Sequence, residues 1–271
     1  MNINLEQLCK QTISIAKEAG EFIAAEKKKF KISDIEVKSR NSLVSYVDKG
    51  SEKMIIDALT KLLPDCSFLA EEETVQRSEN EWEWIIDPLD GTTNFMHGIP
   101  SYAVSIALTH KGESVMGVVY EINLDECFYA WKGGGAFLDG EKILVSPMND
   151  FAESFISTGM PYYDFTVTKY YTDTLNELLP IVRGVRRLGA AAVDLCYVAC
   201  GRYEAFFEHS LAPWDVAAAT LIIKEAGGTI TDFNGDDDYI FGRQIIAGNS
   251  TIHPEILNIV QKHFKDFLVA H

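Results

Sequence analysis

The chain has 271 residues, of which 47% are hydrophobic and 24% charged, as is ordinary for a globular protein. Its net charge of −16 disfavours a nucleic acid polymer or an anionic membrane as a partner. The sequence shows no apolar run of transmembrane length and no signal-peptide pattern, so we expect a cytoplasmic protein.

The spacing of apolar residues in the first half predicts two helices followed by strands. Amphipathic helices are expected over residues 5–22 and 48–63, and short apolar strands over 67–70 and 84–87. Turn residues then separate four further runs, which predicts an antiparallel meander. The strands of this meander are expected at 102–109, 115–120, 127–131 and 136–138.

Beyond about residue 149, predicted strands alternate with helices, a pattern typical of βα units. The strands are expected at 155–157, 185–188, 203–207, 229–231 and 245–247. The helices are expected near 168–179, 190–200, 215–226 and 254–264. Because no linker is visible, we expect one compact unit with an N-terminal α+β half, 1–149, and a C-terminal α/β half, 150–271.

A buried apolar strand that begins at Trp84 delivers two carboxylates, Asp87 and Asp90, onto a tight turn. Pro88 has no N–H group, so strand pairing is expected to end just after Asp87. Two carboxylates at this spacing are suited to hard cations such as Mg²⁺, which prefer oxygen ligands.

The residues after Asp90 are typical of a turn that leads into a helix. Gly91 gives the backbone freedom to turn, and Thr92-Thr93-Asn94 is expected to cap the new helix. The free N–H groups of its first turn can hold an anion. A metal site beside an anion site suits phosphoryl chemistry. The alternative is a plain strand-to-helix turn with Asp90 as an ordinary cap, which would need only one of these residues.

Three consecutive glutamates begin at Glu71, directly after the predicted strand 67–70. Taken alone, such a run is typical of a solvated surface. Its position about fifteen residues before the end of the next strand favours another interpretation. Two neighbouring strands would bring Glu71 close to Asp87.

An alanine-rich, buried helix is predicted between Pro213 and Gly227, two residues that suit a helix start and a helix stop. Asp215 lies in its first turn, where the helix dipole favours a carboxylate. From this segment alone, a local role at the helix start and a functional role both stay open.

Taken together, the segments Trp84–Phe95 and Trp214–Gly228 resemble the inositol monophosphatase family, with weaker support from Phe68–Glu72. Members of that family are Mg²⁺-dependent, lithium-sensitive phosphomonoesterases. The two long motifs stand in the family's order, about 120 residues apart, and the order of elements fits along essentially the whole chain. The resemblance implies a layered αβαβα sandwich with the active site between an antiparallel half and a mixed or parallel α/β half. It also implies a homodimer and a small phosphorylated substrate.

The resemblance further implies a set of ligands for two to three Mg²⁺ ions. Glu71, Asp87 and the carbonyl group of Leu89 would hold a first ion that carries the attacking water. Asp87, Asp90 and Asp215 would hold a second ion, and Glu71 would also contact a third, more weakly bound one. In such a site, two ions about 3.5–4 Å apart contact the attacking and leaving oxygens.

Catalytic and substrate-binding roles follow from the same resemblance. Thr92, hydrogen-bonded to Asp48, would orient the attacking water and help to deprotonate it, and Glu71 would share in catalysis through the first ion. The backbone N–H groups of Gly91 and Thr92 would receive the phosphate. The positions that match the family's substrate contacts are Asp90, Gly91, Thr92, Ala191 and Glu208.

The chain departs from the family pattern on the substrate side. Ser42 stands where Asp is common, and Ala190 stands where Ser or Thr is usual. The substrate therefore stays open between inositol monophosphate or a similar polyol phosphate and the alternatives found in the family, which are NADP(H) 2′-phosphate, 3′-phosphoadenosine 5′-phosphate and fructose 1,6-bisphosphate.

Two other classes of protein are less well supported. A non-catalytic, metal-binding regulatory protein on the same scaffold would not need every expected acid and Thr92. A phosphoaspartate phosphatase carries an Asp-x-Asp-x-Thr signature, whereas Asp87 and Asp90 are separated by two residues.

Overall fold

The computed structural model describes residues 3–31, 33, 36–39, 42–78, 80–162 and 164–270, with only the backbone of 36–39, 42–44 and 270. The helices in this part of the chain are α1 Leu5–Lys27, α2 Tyr46–Leu62, α3 Thr92–His97, α4 Thr168–Leu178, α5 Ala191–Ala199, α6 Pro213–Glu225 and α7 Ile252–Ala270. The strands are β1 Glu36–Ser39, β2 Ser42–Val44, β3 Ser67–Ala70, β4 Trp82–Asp90, β5 Ala103–His110, β6 Glu113–Glu121, β7 Glu126–Trp131, β8 Gly135–Leu138, β9 Glu141–Ile143, β10 Phe155–Thr158, β11 Gly184–Arg186, β12 Ala205–His209, β13 Thr229–Thr231 and β14 Gln244–Gly248.

The strands form two main sheets and one separate hairpin, β1–β2. The larger sheet has the strand order β3-β4-β5-β6-β7-β8-β9. Its β3–β4 pair is parallel, and the pairs from β4 to β9 form the predicted antiparallel meander. The smaller sheet has the order β11-β10-β12-β14-β13, in which β10 is parallel to both neighbours and the other pairs are antiparallel.

Three apolar clusters hold these elements in five layers. The first buries α1 and α2 against one face of the larger sheet, where Leu59 and Trp84 are fully buried. The second fills the space between the two sheets with α5 and α6, including Ala218. The third packs α4 and α7 on the outer face of the smaller sheet through Phe207 and Phe264. This arrangement is an αβαβα sandwich, and it confirms the predicted fold class.

The end of β4 differs from the prediction, because the strand does not stop after Asp87. Pairing with β5 is interrupted between Asp87 and Asp90 and resumes where Asp90 pairs with Ala103. Pro88 thus lies in a bulge that keeps both acids on one strand. The helix that follows has Gly91 as its N-cap, at a φ of 85°, so the prediction of a Thr92–Asn94 cap is also wrong.

Three further expectations concern Ser42, membrane-spanning segments and the division of the chain into halves. The side chain of Ser42 lies outside the described part of the structure. Among the described helices, none combines the length and low polarity needed to cross a bilayer. The division into halves at residue 149 stays a prediction.

Candidate active site

Three aspartates from distant parts of the chain meet in one cleft. Asp87 and Asp90 stand at the end of β4, and Asp215 stands in the first turn of α6. One carboxylate oxygen from each of them lies within 4.8 Å of the other two. All three line a cavity of about 380 Å³, which lies in the size range of small-molecule sites.

Close packing of α6 on the larger sheet brings Asp215 to this cleft. A Cβ atom at Gly117 of β6 would come within 2.5 Å of the Ala218 carbonyl oxygen, so glycine permits the approach. Within α6, Asp215 Oδ2 accepts a hydrogen bond of 2.7 Å from the Ala212 N–H. Asp215 therefore caps its own helix and also belongs to the acidic cluster.

Backbone N–H groups fix the other two carboxylates. Asp87 Oδ1 accepts a hydrogen bond of 2.9 Å from Leu89 N across the bulge. Asp90 Oδ2 accepts one of 2.8 Å from Ala192 N, at the start of α5. These bonds orient each carboxylate before any ligand binds.

The electrostatics of the cluster favour a cation. Burial raises the pKa of Asp87 well above its ordinary range, and the charges of Glu71, Asp90 and Asp215 raise it further. Burial and the charge of Asp215 raise the pKa of Asp90 to about 7. Burial raises the pKa of Asp215 to about 6. Because the donors are carboxylate oxygens that repel one another, they fit a hard divalent cation such as Mg²⁺.

Glu71 joins the cleft as the strand pattern predicts. Ala70 of β3 pairs with Ile86 of β4 in the parallel register. The next residue continues the pairing, since Glu71 N donates a hydrogen bond of 3.2 Å to the Ile86 carbonyl oxygen. Glu71 and Leu89 both line the cavity.

A hydrogen bond joins Thr92 to Asp48, as the family resemblance implies. Thr92 Oγ1 lies 2.9 Å from Asp48 Oδ1 and 2.9 Å from the Leu89 carbonyl oxygen. Asp48 is buried, and its Oδ2 accepts hydrogen bonds from Ser45 N at 2.9 Å and from Ser45 Oγ at 2.7 Å. Burial raises the pKa of Asp48, and these hydrogen bonds act in the opposite direction. Thr92 has one hydroxyl proton to donate, so its lone pairs are left to accept a bond from a ligand or water.

The predicted substrate-side residues lie in the same cavity, where Gly91, Thr92, Ala191 and Glu208 all form part of the wall. The Glu208 carboxylate packs directly on Gly159, where a Cβ atom would lie only 1.7 Å from Oε1. Of all the predicted site residues, Asp48 alone is outside the wall, and it lies behind Thr92.

The sequence-based prediction of the site missed several residues of the cavity wall, among them Gly159, Tyr162, Arg187 and Asp194. Two of them carried a signal. Arg187 lies three residues before Ala190, a position predicted to lie on the substrate side, and it is the one cation among the described residues of the wall. Asp194 is the one charged residue of α5 and is nevertheless buried. Burial raises the pKa of the Glu208 carboxyl group, and the charge of the nearby Asp194 raises it further.

The five-layer fold and this cleft define an α/β protein with a carboxylate site suited to a divalent cation. The chain belongs to the inositol monophosphatase family, whose sequence model matches residues 4–265.

Relatives and a solved structure agree with this assignment. The inositol-1-monophosphatase of Mesorhizobium japonicum is 38% identical over 251 residues, which cover 92% of this chain and 94% of that protein. The putative Nus factor SuhB of Neisseria meningitidis serogroup B is 41% identical over 227 residues, covering 83% and 87%. The crystal structure of the extragenic suppressor protein SuhB from Bartonella henselae superimposes with a TM-score of 0.88 at 37% identity, covering 93% of this chain and 98% of that one.

Proposed function

We propose that this protein is a Mg²⁺-dependent phosphomonoesterase that hydrolyses inositol monophosphate or a similar small polyol or sugar phosphate. The observation that carries the proposal is the meeting of Asp87, Asp90 and Asp215 within 4.8 Å, beside the Thr92–Asp48 hydrogen bond. Membership of the inositol monophosphatase family supports the same chemistry.

Five residues of the cleft would hold two to three Mg²⁺ ions through oxygen atoms, namely Glu71, Asp87, Leu89, Asp90 and Asp215. Bound Mg²⁺ supplies positive charge for the phosphate and lowers the pKa of a water molecule. That charge is needed because a phosphate dianion must enter a protein with a net charge of −16.

The other residues of the cleft would orient the reactants. Asp48 would accept the hydrogen bond that the Thr92 hydroxyl group donates, so the Thr92 oxygen would be left to accept a hydrogen bond from the attacking water. The N–H groups of Gly91 and Thr92 would receive phosphate oxygens. Asp90, Ala191 and Glu208 would contact the substrate's hydroxyl-bearing part, since a carboxylate accepts hydrogen bonds from hydroxyl groups.

Phosphate release measures both the activity and its substrate. The panel is inositol 1-phosphate, NADP⁺, 3′-phosphoadenosine 5′-phosphate and fructose 1,6-bisphosphate, each assayed with Mg²⁺ and with excess EDTA. We expect the highest kcat/KM on inositol 1-phosphate and no turnover in EDTA. A higher kcat/KM on NADP⁺ or on 3′-phosphoadenosine 5′-phosphate would assign the site to nucleotides. No release from any of the four would contradict the phosphatase proposal.

Two further properties are proposed on the family's pattern alone. Li⁺ should inhibit phosphate release, and the protein should be a homodimer. Light scattering at micromolar concentration measures the mass, and a monomer mass would contradict the dimer.

A regulatory role is the second candidate, because the 41% identical relative from Neisseria meningitidis is named a putative Nus factor SuhB. Such a role would not require turnover. In cells that lack this protein, Asp215→Asn would then restore the wild-type phenotype although it releases no phosphate.

A further inference from the structure

One face of α2 reaches three separate segments of the cleft. Ser51 and Glu52 follow Asp48 by three and four residues, so each lies beside Asp48 on the helix surface, and all three are buried. Asp48 accepts a hydrogen bond from the Thr92 hydroxyl group, and Ser51 Oγ donates a hydrogen bond of 3.0 Å to the Pro88 carbonyl oxygen in the bulge. Glu52 contacts the third segment, which is the turn after β3.

Both carboxylate oxygens of Glu52 are engaged by that turn. Oε2 accepts a hydrogen bond of 2.7 Å from Glu72 N. Oε1 accepts one of 2.8 Å from Thr74 N and one of 2.7 Å from Thr74 Oγ1. Because the side chain is 0% exposed, these bonds take the place of the water that an ionised carboxylate would otherwise need.

The turn held by Glu52 has a conformation that its own residues disfavour. Glu73 lies between Glu72 and Thr74, whose N–H groups donate hydrogen bonds to Glu52. The φ angle of Glu73 is +51°. A left-handed backbone costs a residue with a Cβ atom about 1 kcal/mol or more. The Glu52 carboxylate offsets this cost by binding the N–H groups on both sides of Glu73.

This turn fixes the backbone of Glu71 from two directions. On one side, Glu71 N is bonded to the Ile86 carbonyl oxygen of β4. On the other side, the next N–H group, that of Glu72, is bonded to Glu52 of α2. The Glu71 side chain starts from this fixed point and lines the cavity beside Asp87.

We propose that Glu52 is a positioning residue that fixes Glu71 relative to Asp87 and so sets the metal affinity of the cleft. The inference rests on the proposed function, because Glu71 is a metal ligand only under that proposal. Glu52 is not part of the cavity wall and acts through the turn. If α2 served only to stabilise the fold here, an apolar contact with the turn would do so without burying a carboxylate. A carboxylate, with its two oxygens, can accept hydrogen bonds from the N–H groups on both sides of Glu73.

The test compares Glu52→Gln with Asp57→Asn. Glutamine keeps the length of the side chain, but its NH₂ group cannot accept a bond, so one side of the turn is released. Asp57 lies on the same helix, is exposed and pairs with Lys53, so its variant is a matched acid-to-amide control away from the cleft. Mn²⁺ binding to chelator-treated protein is measured by electron paramagnetic resonance, and phosphate release is measured against Mg²⁺ concentration.

For Glu52→Gln we expect the Mn²⁺ affinity to fall about tenfold or more, as is typical when a partner of a metal ligand is lost. The Mg²⁺ concentration for half activity should rise by the same factor, while KM for substrate at saturating Mg²⁺ stays close to the wild-type value. Asp57→Asn should match the wild type in every measurement. An unchanged Mn²⁺ affinity in a folded Glu52→Gln protein would overturn the proposal.

A second variant covers the case in which Glu52→Gln fails to fold. Thr74→Val removes one of the three hydrogen bonds and leaves both N–H bonds in place, so we expect a smaller loss of Mn²⁺ affinity. An affinity equal to the wild type would then overturn the role of Glu52. A wild type that binds Mn²⁺ but releases no phosphate contradicts only the proposed function. A wild type that binds no Mn²⁺ contradicts both.

Discussion

Asp90 Oδ2 accepts a hydrogen bond of 2.8 Å from the N–H group of Ala192, a residue 102 positions later in the chain. The bond joins the end of β4 to the first turn of α5, whose N-cap residue, Ala190, provides no side-chain hydrogen bond. Asp90 therefore supplies the cap from the other sheet, because the side chain of Ala190 has no oxygen to do so. One carboxylate thus serves both the helix start and the acidic cluster.

Asp90→Ala should destabilise the metal-free protein by about 1 kcal/mol, the usual cost of losing a helix cap. Asp90→Asn keeps an oxygen that can accept the Ala192 N–H, so its loss should be smaller. Denaturant unfolding in EDTA at pH 5 measures both, because the carboxyl groups with raised pKa values are then largely protonated and repel one another little. Equal stability of Asp90→Ala and the wild type would mean that the bond to Ala192 contributes nothing.

Asp87→Asn should make the metal-free protein more stable at pH 8 and at the same time abolish activity. The amide can still accept the Leu89 N–H but no longer repels Glu71, Asp90 and Asp215, whose charges raise the Asp87 pKa. Loss of a proposed ligand should cost more than the 10–100-fold effect of losing a ligand's partner. Unfolding in EDTA measures the stability, and phosphate release in Mg²⁺ measures the activity. A variant less stable than the wild type would contradict the predicted repulsion.

Thr92→Val should lower kcat and kcat/KM together by about 100-fold or more, because Thr92 would act on the attacking water in the transition state. Thr92→Ser keeps the hydroxyl group and its bond to Asp48, so it should retain most of the activity. Mn²⁺ affinity should be unchanged in both. A drop in Mn²⁺ affinity in Thr92→Val would instead place Thr92 among the groups that support the metal.

The stability of the metal-free protein should fall as the pH rises from about 4 to about 7. In the folded state the pKa values of Asp90 and Asp215 are raised to about 7 and about 6, above the value of about 3.9 for an unfolded aspartate. Between these limits the folded state binds more protons than the unfolded state, so increasing pH favours unfolding. Denaturant unfolding in EDTA from pH 4 to pH 8 tests this. Asp90→Asn should show a shallower slope, and an identical slope would contradict the assignment.

The sequence predicts those parts of the fold and site that depend on local patterns. The turn residues between the runs that form β5 to β8 were sufficient to predict the meander. The position of Glu71 shortly before the end of β4 was sufficient to predict that it lies close to Asp87. The effect of Pro88 was mispredicted, because the pairing of Asp90 with Ala103 resumes beyond the proline. Local chemistry cannot show this, since the partner strand decides it.

Contacts between distant segments were beyond local patterns. The bond from Ala192 to Asp90 and the bonds from the β3 turn to Glu52 depend on how α5 and α2 pack on the larger sheet. A signal for Glu52 was nevertheless present, because it stands among the buried positions Ile55, Ile56 and Leu59 of an amphipathic helix. A buried glutamate on that face requires polar partners, and Glu52 stands only four residues after Asp48, a predicted residue of the site.

Phosphate release from inositol 1-phosphate by the wild type and by Asp215→Asn, measured against Mg²⁺ concentration, tests the central claim most directly. Asparagine matches aspartate in shape and can still accept the Ala212 N–H, so the fold and α6 should be kept while one negative charge leaves the cluster. We expect the wild type to require Mg²⁺ and the variant to lose most of its activity at every Mg²⁺ concentration. Full activity of the wild type in excess EDTA, or normal turnover of Asp215→Asn at low Mg²⁺, would contradict a phosphatase built on these carboxylates.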